Sequence, residues 1–366
     1  VLEKTGSATA MGTVLIFSFL PMLLFLLVGG VAVDRLPRGR VMLLSDIVRG
    51  VLVLLVAVLA FANALEIWHV CVASAVFGFV GAFFQPAYTA IIPEITPSEA
   101  LPSANSLTAV SGQLTGILGP ALGATVVSLG GTSAAFALDG LSFIISAACL
   151  VPIVGLLGNP RKSNASSAIH DLREGIKAVF ASPWLWITIT LAGLMNLSQI
   201  GPWTIGLPFL VKQNLNADVG TLGLFYSVSS LGSVLAAIWL GRSPRLRRRG
   251  MIGYGMLVVW GLAEFAVGLP LPLFVLLIAA GFFGGSLMIF NLIWANTLQE
   301  TVPRDLLGRV SSIDALGSFI LIPVGYGIAG WAIDWAGAAP VLVVGGALTA
   351  GLAALGLAHP VVRRLD

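Results

Sequence analysis

GGVAVDRLPRGR, residues 29–40, is a basic turn set between two long and mainly apolar runs, at about 12–33 and 41–62. A helix rises about 1.5 Å per residue, so roughly 20 apolar residues cross a hydrocarbon core about 30 Å thick. Each run meets that length. With no water available to the backbone, such a run satisfies its amides only as a helix or within a closed barrel. The predicted unit is a helical hairpin that keeps Arg35, Arg38 and Arg40 at a membrane surface.

The same alternation continues outward. Further apolar segments run over 67–92, 103–129, 133–157, 184–211, 217–241, 250–269, 271–296, 305–330 and 337–359, which makes eleven. The chain is 57% hydrophobic and 10% charged, with mean hydropathy +0.99, against about 25% charged residues in soluble domains. An all-α polytopic membrane protein is expected, and neither a soluble domain nor a signal peptide explains the pattern.

Charge placement gives an orientation. With 34–40 on one face, 16 of the 19 Lys and Arg residues lie on that face, Lys4 and Lys212 lie opposite, and Arg49 falls within a helix. The basic face is the cytoplasmic one by the positive-inside rule, which also places the C-terminus there. The net charge of +3 is carried by these short loops, so the bilayer, and not nucleic acid, accounts for it. Cys71 and Cys149 sit in apolar segments and imply no disulfide framework. No metal-ligand spacing, nucleotide loop or cofactor motif is present. His69, His170 and His359 have no nucleophile or metal partner nearby in sequence, which argues against a membrane-embedded enzyme.

An internal repeat organises the segments. Lys4, Gly12, Thr13 and Phe17 match Lys212, Gly220, Thr221 and Phe225, while DRLPRGR (34–40) matches GRSPRLR (241–247) and EITPSEAL (94–101) matches ETVPRDLL (300–307). Two halves of equal topology are expected, 1–157 and 184–366. Between them, 158–183 is a linker in which Ile169, Leu172, Ile176 and Val179 share a helical face, so an amphipathic helix at the membrane surface is expected. The segment at 184–211 has no partner in the first half, so the expectation is a twelve-helix parent whose first helix precedes residue 1.

The turn at 29–40 resembles the signature loop between helices 2 and 3 of the major facilitator superfamily, and its Pro37 resembles the subgroup of siderophore and macrolide exporters. That resemblance implies two six-helix bundles and a conformational latch built from Gly30, Asp34, Arg35, Arg38 and Arg40. Asp46 and Arg49, at i,i+3 on one helix face, are expected to pair and to join this cluster. GQLTGILGPALG (112–123) holds Gly112, Gly116, Gly119, Pro120 and Gly123, and resembles the superfamily's antiporter helix, which implies export. Close packing of neighbouring helices is the plain alternative for these small residues. The superfamily's fourth-helix Arg has no counterpart in ASAVFGFVGAFFQPAY (73–88), so no coupling role transfers there.

Ionisable groups at membrane depth are functional candidates. A carboxyl desolvated in a bundle exchanges a proton when access switches sides, and Asp139 and Glu264 are the coupling candidates. Asp314, near a helix end, reads as structural. Gln113, Asn196, Gln199, Trp203 and Asn291 are candidates for the substrate cavity, with Ser198 a further polar group on the same segment as Asn196; Phe83, Phe84, Phe282 and Phe283 are further candidates for its wall, with packing or lipid-facing roles as the alternative. Such sparse polar groups among aromatic ones suit a small amphipathic solute, such as a drug, macrolide or siderophore. The expected activity is export by proton antiport and alternating access from a bacterial plasma membrane, by a monomer with lipid as its surroundings. Uptake by a symporter of the same fold, or a non-transporting sensor or scaffold, are the alternatives.

Overall fold

The computed structural model describes residues 1–33, 36–156, 168–242, 248–363 and 365. The described residues form helices and no strand: α1 Ala8–Val33, α2 Arg38–Phe61, α3 Ile67–Ile95, α4 Leu101–Leu156, α5 Ala168–Ala181, α6 Pro183–Gly201, α7 Val219–Gly241, α8 Arg249–Val267, α9 Leu273–Thr301, α10 Arg304–Phe319, α11 Ile322–Ala336 and α12 Ala338–Ala358. Nine stretches among them are long and apolar enough to span a membrane. One of these, Ser103–Val154, is 52 residues long and breaks at Gly131, whose φ of 73° and ψ of 178° leave the helical region. It therefore supplies two spans. Pro183–Asn214, sharply bent from the linker helix before it, supplies another. The eleven apolar segments of the sequence are thus all helical.

The chain divides into two compact units: Thr13–Thr115 with Leu122–Ala165, and Ser166–Asp366 with Val1–Gly12 and Gly116–Ala121. In the first, α1 crosses α3 at backbone contact, because a Cβ on Gly78 would lie 1.8 Å from the Ser18 carbonyl oxygen. In the second, α7 crosses α9 in the same way, since a Cβ on Gly284 would overlap the Ser229 carbonyl oxygen. Arg38, the first residue of α2, pairs with Glu94 near the end of α3, and Arg249, the first residue of α8, pairs with Glu300 near the end of α9. The two halves therefore repeat their helix crossings and their ion pairs.

The register of that repeat departs from the sequence match. Ser18 to Ser229 and Arg38 to Arg249 are 211 residues apart, whereas Gly78 to Gly284 and Glu94 to Glu300 are 206 apart. Matching by residue type aligned Arg38 with Arg245, four residues short, about one helical turn. Apolar helices look alike after a slip of one turn, and that is why the slip went unseen.

The linker helix α5 is not an isolated surface helix. Glu174 binds Arg309 of α10, Gly175 lies against the Arg309 backbone, and Val179 is buried with Leu185, Ile189, Leu298, Val302 and Val310. Ile176 and Phe180 stay exposed, at 40% and 68%. Ile169 and Leu172 belong to side chains outside the described set. Large exposed apolar residues such as Leu24, Leu129 and Trp335 mark the faces that lipid covers.

Candidate functional site

The second unit carries a partly open cavity of about 410 Å³ between α6, α8, α9 and α10. Helix α6 is shaped for it. Pro202 and Pro208 lack the amide hydrogen that a regular helix uses, and the chain passes through two π-helical turns, Pro202–Gly206 and Leu210–Asn214. The first of these turns carries Trp203, which stacks on Phe283 with ring centroids 3.6 Å apart and planes at 9°. Trp260 lies 5.7 Å from the same Phe283 ring, and Phe290 is stacked on Trp294 at 6.3 Å.

Few polar groups interrupt this wall. Asn196 donates from Nδ2 to the Ser318 carbonyl at 2.9 Å. Gln199 is 2% exposed, and Asn291 is also on the lining. Asn196, Gln199, Trp203 and Asn291 thus come together on one cavity, whereas Gln113 lies on α4 in the other unit. Asp314, read from the sequence as structural, also lines the cavity; its carboxylate accepts from Trp294 Nε1 of α9 at 2.8 Å and from Ser318 Oγ at 3.2 Å.

A second arrangement joins the ends of α1 and α11. Asp334 accepts from the amides of Ala8 and Thr9 at 2.7 and 2.9 Å and from Ser7 Oγ at 2.8 Å. These amides belong to the first turn of α1, where a helix has donors without intrahelical partners. Gly12 faces the Tyr326 carbonyl, and Gly330 faces that of Ala8, which brings the two backbones close enough for the cap.

A sequence profile of the Major Facilitator Superfamily matches residues 1–326. The chain belongs to this superfamily. It is similar to Macrolide efflux protein A of Streptococcus pyogenes, 24% identical over 328 residues that make up 88% of this chain and 80% of that protein. It is also similar to the multidrug efflux pump Tap of Mycolicibacterium fortuitum, 28% identical over 92% of this chain and 84% of the pump. The enterobactin exporter EntS of Shigella boydii is 24% identical over 81% of this chain and 72% of its own length. Among solved structures, the nucleoside transporter NupG superposes with a TM-score of 0.72 at 14% identity, over 96% of this chain and 90% of that one. The superfamily fold is thereby shown.

Of the turn at 29–40, Asp34, Arg35 and the side-chain surroundings of Gly30 lie outside the described residues. Arg38 binds Glu94 and the Ala90 carbonyl oxygen, while Arg40 is exposed. The expected pair of Asp46 and Arg49 forms no contact ion pair. Asp46 takes a hydrogen bond from Ser146 Oγ at 2.6 Å, and the Arg49 guanidinium lies over Phe84 at 4.8 Å, Phe77 at 5.4 Å and Phe143 at 5.9 Å. A hydroxyl on α4 thus partners Asp46, and three ring faces surround Arg49, whose buried Nε has no hydrogen-bond partner among the described residues.

The glycine-rich stretch of α4 is packed at some positions and open at others. A Cβ on Gly112 or Gly123 would meet nothing within 4 Å among the described residues, and one on Gly116 would be 3.7 Å from Ser230 Oγ. The chain around Gly119 and Pro120 belongs to the second unit, where the Ile117 carbonyl accepts from Ser227 Oγ of α7. Glu264 is fully buried, and neither carboxyl oxygen has a hydrogen-bond partner. Asp139 is exposed on the first unit. Ser198 bonds Thr349 Oγ1 of α12 at 3.0 Å, a tie between helices. Phe282 is 59% exposed and faces away from the cavity that Phe283 lines. Phe84 serves the Arg49 cage, and Phe83 packs on Phe79.

Proposed function

We propose that this protein is a secondary active exporter of small amphipathic molecules in a bacterial plasma membrane, driven by protons moving inward and working by alternating access. The observation that carries the reading is the cavity of about 410 Å³, whose aromatic and aliphatic wall is broken by three amides, three hydroxyls and one carboxylate among the described lining residues. That volume falls in the drug-sized range, and such a lining favours solutes with a large apolar body and few polar points. The efflux proteins among its relatives supply the direction. In this reading the signature loop and the Asp334 cap hold successive states, and Glu264 carries the coupling proton, because a fully enclosed carboxyl without a donor or a cation is tolerated far better neutral than ionised. The open flank at Gly112 and Gly123 is room into which a neighbouring helix moves in another state.

Everted vesicles that contain the chain test this directly. A fluorescent amphiphile should accumulate when a proton gradient is imposed and leak back when an uncoupler collapses it. Accumulation that continues unchanged after collapse would remove proton coupling from the proposal, and failure of every solute tried to move would favour a sensor.

A further inference from the structure

We propose that the cavity selects organic monocations, with Asp314 as the counter-charge and the surrounding rings as the cation's apolar seat. This rests on the reading of that cavity as the solute site and specifies what it takes.

Asp314 is the single Asp, Glu, Lys, Arg or His on the described lining, so the cavity carries one carboxylate and no basic group to neutralise it. Two donors hold the carboxylate, Trp294 Nε1 and Ser318 Oγ. A carboxylate accepts about four hydrogen bonds in all, so capacity remains for a donor or a cation that enters the cavity. The rest of the lining fits such a guest. Trp203, Trp260, Phe283, Phe290, Trp294 and Phe319 line it, and ring faces attract a positive charge through their quadrupole while covering its alkyl or aryl groups. The lining amides of Asn196, Gln199 and Asn291 are neutral and fix orientation without opposing either charge. An anionic solute of the same size would meet the Asp314 charge and the electron-rich ring faces with nothing on the lining to offset them.

Tetraphenylphosphonium and tetraphenylborate have nearly the same shape and opposite charge, so they separate charge recognition from apolar fit. With the full chain purified in detergent, equilibrium dialysis of labelled tetraphenylphosphonium should show saturable binding that excess tetraphenylborate does not displace. Asp314→Asn keeps one acceptor oxygen for Trp294 and turns its amide N–H toward Ser318 Oγ, which can accept, but drops the charge, and should weaken that binding roughly tenfold, the scale of a hydrogen bond or contact to a charged group. Asp314→Glu should retain most of the affinity. Trp203→Ala should weaken the phosphonium without admitting the borate. Equal affinity for both ions, no saturable binding of either, or a neutral Asn variant that binds the phosphonium as tightly as the parent would each overturn the proposal. Should the Asn variant not fold, the comparison of the two ions on the unaltered chain decides. Binding is read without any gradient, so charge-selective binding in a chain that moves nothing in vesicles would leave this inference standing and remove the transport reading, whereas gradient-driven efflux without charge preference would do the reverse.

Discussion

Glu264 is enclosed without a hydrogen-bond partner, a condition that costs stability and is kept where the group has work to do. Replacing it with Leu removes two unsatisfied oxygens at similar volume, so Glu264→Leu should stabilise the folded chain by about 1–3 kcal/mol and raise its thermal midpoint in detergent. A lowered midpoint would mean that the carboxyl has a stabilising partner. Under the proposed coupling role, Glu264→Gln should fold normally, lose accumulation against a gradient, and keep downhill exchange of solute. Retained uphill accumulation would move the proton site elsewhere, with Asp139 next to be substituted. The cavity was partly readable from sequence for the same physical reason. Asn196, Gln199 and Asn291 stand out because an amide inside an apolar run is costly unless it is used. Asp314 did not stand out, since its donor Trp294 comes from another helix and its depth depends on where α10 gives way to α11. Asp334 was invisible, because its partners lie more than 320 residues away in sequence and two of the three are the backbone amides of Ala8 and Thr9, which no side-chain pattern announces.

Among elements, the contrast between glycines is the sharpest guide to which helices are fixed and which have room. A methyl group on Gly284 would lie 1.9 Å from the Ser229 carbonyl, so Gly284→Ala forces α7 and α9 apart and should cost about 1–3 kcal/mol, as overpacking does. Gly112→Ala meets open space and should leave the thermal midpoint unchanged while slowing transport, if another helix must come close there during the cycle. A Gly112→Ala chain that transports at the parent rate would assign that glycine no part in the cycle. The cap on α1 is a different kind of joint, held by hydrogen bonds and not by interlocking backbones. Asp334→Ala should release the Ala8 and Thr9 amides at a cost of about 1 kcal/mol, seen as several-fold faster hydrogen exchange over residues 7–12. Unchanged exchange there would show that Gly12 and Gly330 alone hold α1 to α11.

For the molecule as a whole, hydropathy and charge placement made the eleven helical segments legible, because each apolar run has to satisfy its own backbone. The repeat was legible only to within a turn: Ser, Gly and Arg recur often enough in such helices that Arg38 could be matched to Arg245, while the ion pairs with Glu94 and Glu300 identify Arg249 as its counterpart. The break at Gly131 falls in the gap between the expected segments 103–129 and 133–157, whereas the two π turns that follow α6 depend on local backbone geometry and left no mark on hydropathy. Orientation follows from charge alone, and the equivalence of Arg38 and Arg249 makes it a strict test. If both stand at the start of equivalent helices, and if the basic turns are retained in the cytoplasm, reporters inserted beside each should be active only as cytoplasmic fusions. A reporter at the Asn63 turn between α2 and α3 should be active only outside, and one fused after Arg363 only inside. Opposite locations for the turns at Arg38 and Arg249 would mean that the two halves are inverted, not parallel, repeats, and the shared crossings at Gly78 and Gly284 would then have no common origin in the fold.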